Sequence, residues 1–78
     1  MTKKEMINKI EELKLKAFNN QDDNKYSSYL KLKTEVLKEV GYTSKYEGRL
    51  YLQKSARKEQ IELYLTATQI AYDMIYNN

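Results

Sequence analysis

Cysteine, histidine and proline are absent from this 78-residue chain, and glycine occurs only at Gly41 and Gly48. Without cysteine there is no disulfide framework and no thiolate metal site, and the sequence carries no clue to a redox compartment. Without histidine the commonest general base and the commonest metal ligand are missing. So few glycines and no proline argue against a turn-rich sandwich or barrel, which needs a breaker at every reversal. Long apolar runs are also lacking: nothing approaches the roughly 18–20 residues of a membrane span. The N-terminal lysines are followed by Glu5, Asn8, Glu11 and Glu12 rather than by an apolar stretch, so no signal peptide is read there. The expected location is the cytoplasm, with no membrane partner.

What is present suits one small helical domain. Hydrophobic residues make up 41% and charged residues 32%, which argues against a disordered tail. A chain of this size buries only roughly 60–65% of its unfolded surface, so partner surface is a natural complement to a thin core. Net charge is +3, and its placement tells more than its size. Residues 1–20 carry +2, residues 21–40 balance, residues 41–60 carry +3 and residues 61–78 carry −2. The basic character therefore has a location, while the C-terminal stretch repels nucleic acid mildly. Richness in Lys, Asn, Ile and Tyr points to an AT-rich genome, such as that of a Firmicute or its phages.

Thr2 followed by Glu5 reads as a capping box. Behind it Met6, Ile7, Ile10, Leu13, Ala17 and Phe18 recur at helical spacing, which predicts a first helix over about 3–19. The run Asn19 to Asn24 is polar throughout and ends it, because such side chains compete for the backbone. Asp22 or Asp23 caps a second helix over about 24–40, with the stripe Tyr26, Tyr29, Leu30, Val36, Leu37 and Val40 interrupted by Lys33. Gly41 then supplies a left-handed stop. The short connection predicts an antiparallel hairpin.

Ser44 with Glu47 is a second capping-box candidate, and nothing forces a break from there to about residue 77. Gly48 costs about 1 kcal/mol against Ala inside a helix without ending it. The stripe begins with Tyr46, Leu50 and Tyr51, thins over 53–60 where only Ala56 is apolar, and resumes with Ile61, Tyr64, Leu65, Thr68, Ala71, Tyr72 and Ile75. One unbroken helix would be about 50 Å long. Two helices of half that length cannot cover it, so a bend near 53–58 or a projecting helix is expected. A second stripe of Leu63, Ala67, Ile70 and Met74, spaced four, three and four, makes a seam on another face. Such a helix is either central in the bundle or lends one face to a partner, a second copy of the chain among them. The expected fold class is all-α, a bundle of three or four helices.

Catalysis finds little support. Ser27 and Ser28 lie beside Lys25 and Lys31, and Ser55 beside Lys54 and Lys58, but solvated lysines stay protonated and act as bases only when desolvated. Asp22 and Asp23, with Asn20 and Asn24, lack the spacing and terminal glutamate of a calcium loop and read as a capped turn. No glycine-rich phosphate loop is present. The expectation is a protein without enzymatic activity, cofactor, metal or small-molecule substrate. Two binding readings remain. Tyr42, Tyr46 and Tyr51 interleave with Lys45, Arg49, Lys54, Arg57 and Lys58, a pattern in which cations meet phosphates and rings stack on bases. The same tyrosines and arginines, with the second seam, equally anchor a protein interface, as in a small adaptor or inhibitor of the kind phages encode.

The segment Arg57 to Ala67 resembles a motif of the GatB/YqeY family, in which a basic, glutamate-bearing helix carries a repeated apolar spacing. Arg57, Lys58, Glu59, Ile61, Glu62, Tyr64 and Ala67 fall in matching places. Gln60 stands where serine is usual and Thr68-Gln69 where Gly-Arg is frequent. Upstream, Glu12 to Val36 is similar to the family's opening hairpin through Leu13, Lys14, Ala17, Leu32, Lys33, Glu35 and Val36, with Leu30 near the place of its usual arginine. Family members are usually about twice as long, and their second, smaller helical subdomain has no counterpart here. The resemblance implies an all-helical, tRNA-associated module and no active site. The expected partner is thus a host or cognate protein, with tRNA or other RNA as the alternative.

Overall fold

The computed structural model describes residues 1–41 and 57–77. Among them the chain forms α1 (Lys3–Asn19), α2 (Asp23–Glu39) and α3 (Lys58–Tyr76), with no strand. The fold class is all-α, as the spacing predicts.

Each helix boundary has a local cause. Thr2 and Glu5 close a reciprocal box: the Glu5 N–H donates to Thr2 Oγ1 at 3.1 Å, and the Thr2 N–H donates to Glu5 Oε1 at 3.0 Å. These bonds from Thr2, the backbone one foremost, hold the Glu5 carboxyl below the ordinary glutamate range. Of the two aspartates before α2, Asp22 is the cap, accepting from the Lys25 N–H at 3.1 Å. Between α1 and α2 the chain reverses through Gln21 at φ +62°, a left-handed conformation that costs a side-chain-bearing residue roughly 1–2 kcal/mol. Gly41 takes φ +81° after α2, and its N–H donates back to Lys38 at 3.2 Å.

The stretch over 44–77 expected to be helical lies partly outside the described residues, and its described part is α3. Arg57 is extended, with ψ 153°, so no unbroken helix runs from Ser44 through this point to Tyr76. This break falls where a bend near 53–58 is expected, within the polar run that precedes Ile61. The Ser44–Glu47 box, Gly48 and the early stripe of Tyr46, Leu50 and Tyr51 lie outside the described residues.

α3 packs against both other helices, while α1 and α2 make few direct contacts with each other. The core clusters give the directions. Met6 and Ile10 from the start of α1 meet Leu37 near the end of α2 and Ile61, Tyr64 and Ala67 in the first half of α3. Ala17 at the end of α1 meets Tyr29 near the start of α2 and Ala71 in the second half of α3. Hence α1 and α2 run oppositely, as a hairpin must, and α3 runs parallel to α1 as a wedge between them. Central placement explains why α3 buries Ile61, Tyr64, Ala67, Thr68 and Ala71. Thr68 enters the core with its hydroxyl satisfied, donating to the Tyr64 carbonyl at 2.7 Å. At the other end Tyr76 donates its hydroxyl to the Ala17 carbonyl at 3.3 Å, which supplies a partner to one of the last carbonyls of α1.

Candidate functional site

The residues singled out for binding divide three ways. Tyr42, Lys45, Tyr46, Arg49 and Lys54 lie outside the described residues. Arg57 and Lys58 are exposed at the start of α3, where no side chain caps the helix. The uncapped N–H groups there add partial positive charge to two cations. Leu63, Ala67, Ile70 and Met74 all lie on α3 but in different surroundings. Ala67 is fully buried and Leu63 packs against the same core cluster, while Ile70 and Met74 are 39% and 54% exposed. The four therefore do not form one open seam. Its first half belongs to the bundle, and its second half faces outward.

Ile70 also lines an open groove of about 320 Å³ along α1 and α3, together with Met1, Lys9, Leu65, Thr66 and Gln69. The groove is mostly apolar, with the Lys9 ammonium reaching Glu12 at 3.8 Å. Glu12 is further held by Lys16 at 3.2 Å, whose hydrogen bond lowers the glutamate's pKa most, with the Lys9 and Lys16 charges adding to it. Phe18 and Leu15, on α1, are 65% and 56% exposed, so apolar surface is not confined to α3.

The described tyrosines look inward. Tyr29 has no exposed surface, and Tyr26, Tyr72 and Tyr76 surround it at centroid distances of 6.0–6.4 Å. Tyr72 and Tyr76 stack on each other at 4.9 Å. Edge-on and offset contacts of this kind are what ring quadrupoles favour. Burial, then the neighbouring tyrosines, push the Tyr29 hydroxyl well above the ordinary tyrosine range. These rings are core, not a base-stacking platform.

Sequence reasoning noted Lys33 as an interruption of the α2 stripe and as one of the residues resembling the GatB/YqeY hairpin, but not as a site. Its Nζ lies 5.4 Å from the centroids of both the Tyr29 and Tyr64 rings, and it is half-buried. Desolvation, then the charge of Lys14, lowers its pKa. The signal was there: a lone cation on an otherwise apolar helix face. Ser27, Ser28, Lys25 and Lys31 are all exposed. No group of three or more acidic side chains that could hold a metal ion occurs among the described residues. No helix among the described residues is long and apolar enough to cross a membrane. In comparison with known proteins, the chain matches no family model, no curated protein and no solved structure.

Proposed function

We infer that this chain is a non-enzymatic module that binds a protein, acting as an adaptor or inhibitor of the kind phages encode. The observation that supports this reading is the apolar surface beside the core of α3. Ile70 and Met74 stand exposed one turn apart, and Ile70 opens onto the groove with Met1 and Leu65. A small bundle whose described tyrosines are buried or partly buried, yet which leaves Phe18, Ile70 and Met74 outward, has apolar side chains available for a partner. Arg57 and Lys58 at the start of the same helix add a cationic end that steers an acidic partner. Upstream in the sequence, Tyr42, Lys45, Tyr46, Arg49 and Lys54, which lie outside the described residues, add further basic and tyrosine side chains.

A tRNA- or RNA-binding module, as the GatB/YqeY resemblance implies, is the second reading. The exposed pair Arg57 and Lys58 at an uncapped helix start favours it, since backbone N–H groups and cations together suit a phosphate. One experiment separates the two. Affinity capture from host lysate is run with and without nuclease, using wild type and Ile70→Glu. Nuclease-resistant capture of a protein, lost in a variant that keeps its helicity, is the expected result. Capture abolished by nuclease, or by Arg57→Ala with Lys58→Ala but not by Ile70→Glu, overturns it in favour of RNA.

A further inference from the structure

Lys33 stands on the buried side of α2, and its neighbours one turn away along the helix are Tyr29, Leu30, Val36 and Leu37, none of them acidic. Among the described residues no carboxylate reaches ion-pair distance of it. Its ammonium instead rests against the Tyr29 and Tyr64 rings at 5.4 Å each. Ring faces attract a cation but accept no strong hydrogen bond, so the three N–H donors of the ammonium keep most of their capacity. Nor does the surrounding field compensate it. The edge contact of Phe18 with Tyr26 at 5.8 Å sets the register of α1 against α2. In that antiparallel register Lys14, one turn before Phe18, comes to the level of Leu30 and Lys33, and it adds a second positive charge there. A half-buried cation with no counter-ion among the described residues, beside another cation, is poorly solvated and favours a bound anion.

We propose that Lys33 and Lys14 form a carboxylate-binding site between α1 and α2, which takes an acidic side chain of a protein partner. The rim argues for a peptide rather than a nucleic acid. Phe18, one turn from Lys14, is 65% exposed, and Leu30, one turn from Lys33, is 37% exposed. Each cation is thus paired with an apolar neighbour, which suits an acidic residue flanked by apolar ones. A phosphodiester backbone calls for a track of cations and is best gripped by guanidinium forks, and the site has two ammonium groups and no arginine. The proposal rests on the protein-binding reading above and names the chemistry of the partner.

The test is a titration of the isotope-labelled full chain, followed by the side-chain resonances of each lysine. Sodium acetate is added at matched ionic strength against sodium chloride, at mildly acidic pH where inorganic phosphate is also largely a monoanion. Lys33 is expected to shift saturably with acetate, while exposed Lys38 on the same helix follows ionic strength alone. Lys14→Gln, an exposed position that leaves the core untouched, is expected to raise the half-saturation concentration about threefold, as loss of one solvated charge should. Lys33→Met is expected to abolish the response with the helical spectrum retained. If that variant does not fold, Lys14→Gln still decides the matter. A Lys33 response no different from that of Lys38, or unchanged in Lys14→Gln, overturns the site. Tighter binding of inorganic phosphate than of acetate overturns its assignment to carboxylate. Because the titration needs no partner, a flat response with protein capture intact defeats only the site, and a saturable response with nuclease-sensitive capture defeats only the protein-binding reading.

Discussion

The two ends of the bundle are built from different chemistry. At one end Met6, Ile10, Leu37, Ile61 and Ala67 interlock as flexible or branched aliphatic side chains, with the Tyr64 ring at their edge. At the other, Ala17 and Ala71 are so small that the Tyr29 ring fits between the helices, flanked by Tyr26, Tyr72 and Tyr76. The aliphatic end holds by shape and by apolar area alone. The tyrosine end buries comparable rings but must also place a hydroxyl on each. Tyr76 solves this by bonding to the Ala17 carbonyl, whereas the buried hydroxyl of Tyr29 has no hydrogen-bond partner. Lys33 lies at the join, its ammonium touching Tyr29 of one cluster and Tyr64 of the other. The lesson is that the aliphatic end is held chiefly by apolar contact, with Gln60 Oε1 at its margin as a buried polar atom without a partner, while the tyrosine end places such a group, the Tyr29 hydroxyl, in the middle of its packing.

The largest expected effect lies at the aliphatic end. Leu37 is fully buried and comes from α2, which contributes few other side chains to that cluster. Leu37→Ala removes its packing and leaves a cavity, at a cost of about 3 kcal/mol. A domain of this length has only about 4–12 kcal/mol in all, so the thermal midpoint should fall by more than about 10 °C. Thermal melts followed by far-ultraviolet circular dichroism check this. A loss below about 1 kcal/mol would mean that the aliphatic cluster does not carry the stability given to it here.

The tyrosine end should respond in the opposite direction. Tyr29→Phe keeps the ring and deletes a buried hydroxyl without a partner, so it should stabilise by about 1 kcal/mol, read as a higher urea midpoint at unchanged slope. The same hydroxyl predicts alkaline behaviour. Its pKa in the fold lies above its unfolded value, so burial favours the neutral form and the associated stability is present below the ordinary tyrosine range. As pH rises past that range the unfolded chain gains phenolate and the fold does not, and stability falls. Absorbance titration of the eight tyrosines should show a late step that coincides with loss of helicity. In Tyr29→Phe that step should move to higher pH. If all tyrosines ionise together below the unfolding step, the two ends are not distinguished as argued.

Much of this was legible in the sequence, and the failures share a cause. The boxes and stops at Thr2, Glu5, Asp22 and Gly41 are local, decided by a few consecutive residues, and they sit where periodicity and turn chemistry put them. The buried face of α1 was equally plain through Met6, Ile10, Leu13 and Ala17. Phe18 lies at the edge of that stripe and is exposed, because whether an edge residue is covered depends on how closely the next helix approaches. Here α3 wedges α1 from α2, so the flank of each hairpin helix opens, and Leu30 on α2 is exposed for the same reason. Ala67 reads by spacing as part of a second seam that serves either the core or a partner, and it is buried, since a small side chain marks a close helix approach that no single-helix pattern contains. The start of α3 after an extended Arg57 is likewise a tertiary outcome. The candidate site was legible only in its basic and apolar ingredients. The meeting of Lys14 with Lys33 depends on the register of α1 against α2, which no one segment encodes.

The smallest expected effect returns to the aliphatic end, at the exposed start of α1. Glu5 in the capping box has a pKa held below its unfolded value by the Thr2 backbone and side chain, and Glu12 is lowered by Lys16 and Lys9. Both contributions are therefore complete above the ordinary glutamate range and are lost as pH falls through the depressed folded values. Glu5→Gln keeps an acceptor for the Thr2 N–H but removes the charge that favours the positive start of a helix. Urea unfolding at neutral and at acid pH should show that this variant loses less stability on acidification than wild type, while Tyr29→Phe loses the same amount. The contrast isolates the cause, because Tyr29→Phe removes no carboxylate. An unchanged acid response in Glu5→Gln would assign the whole acid limb to Glu12 and its lysines, and would reduce the capping box from an electrostatic device to a geometric one.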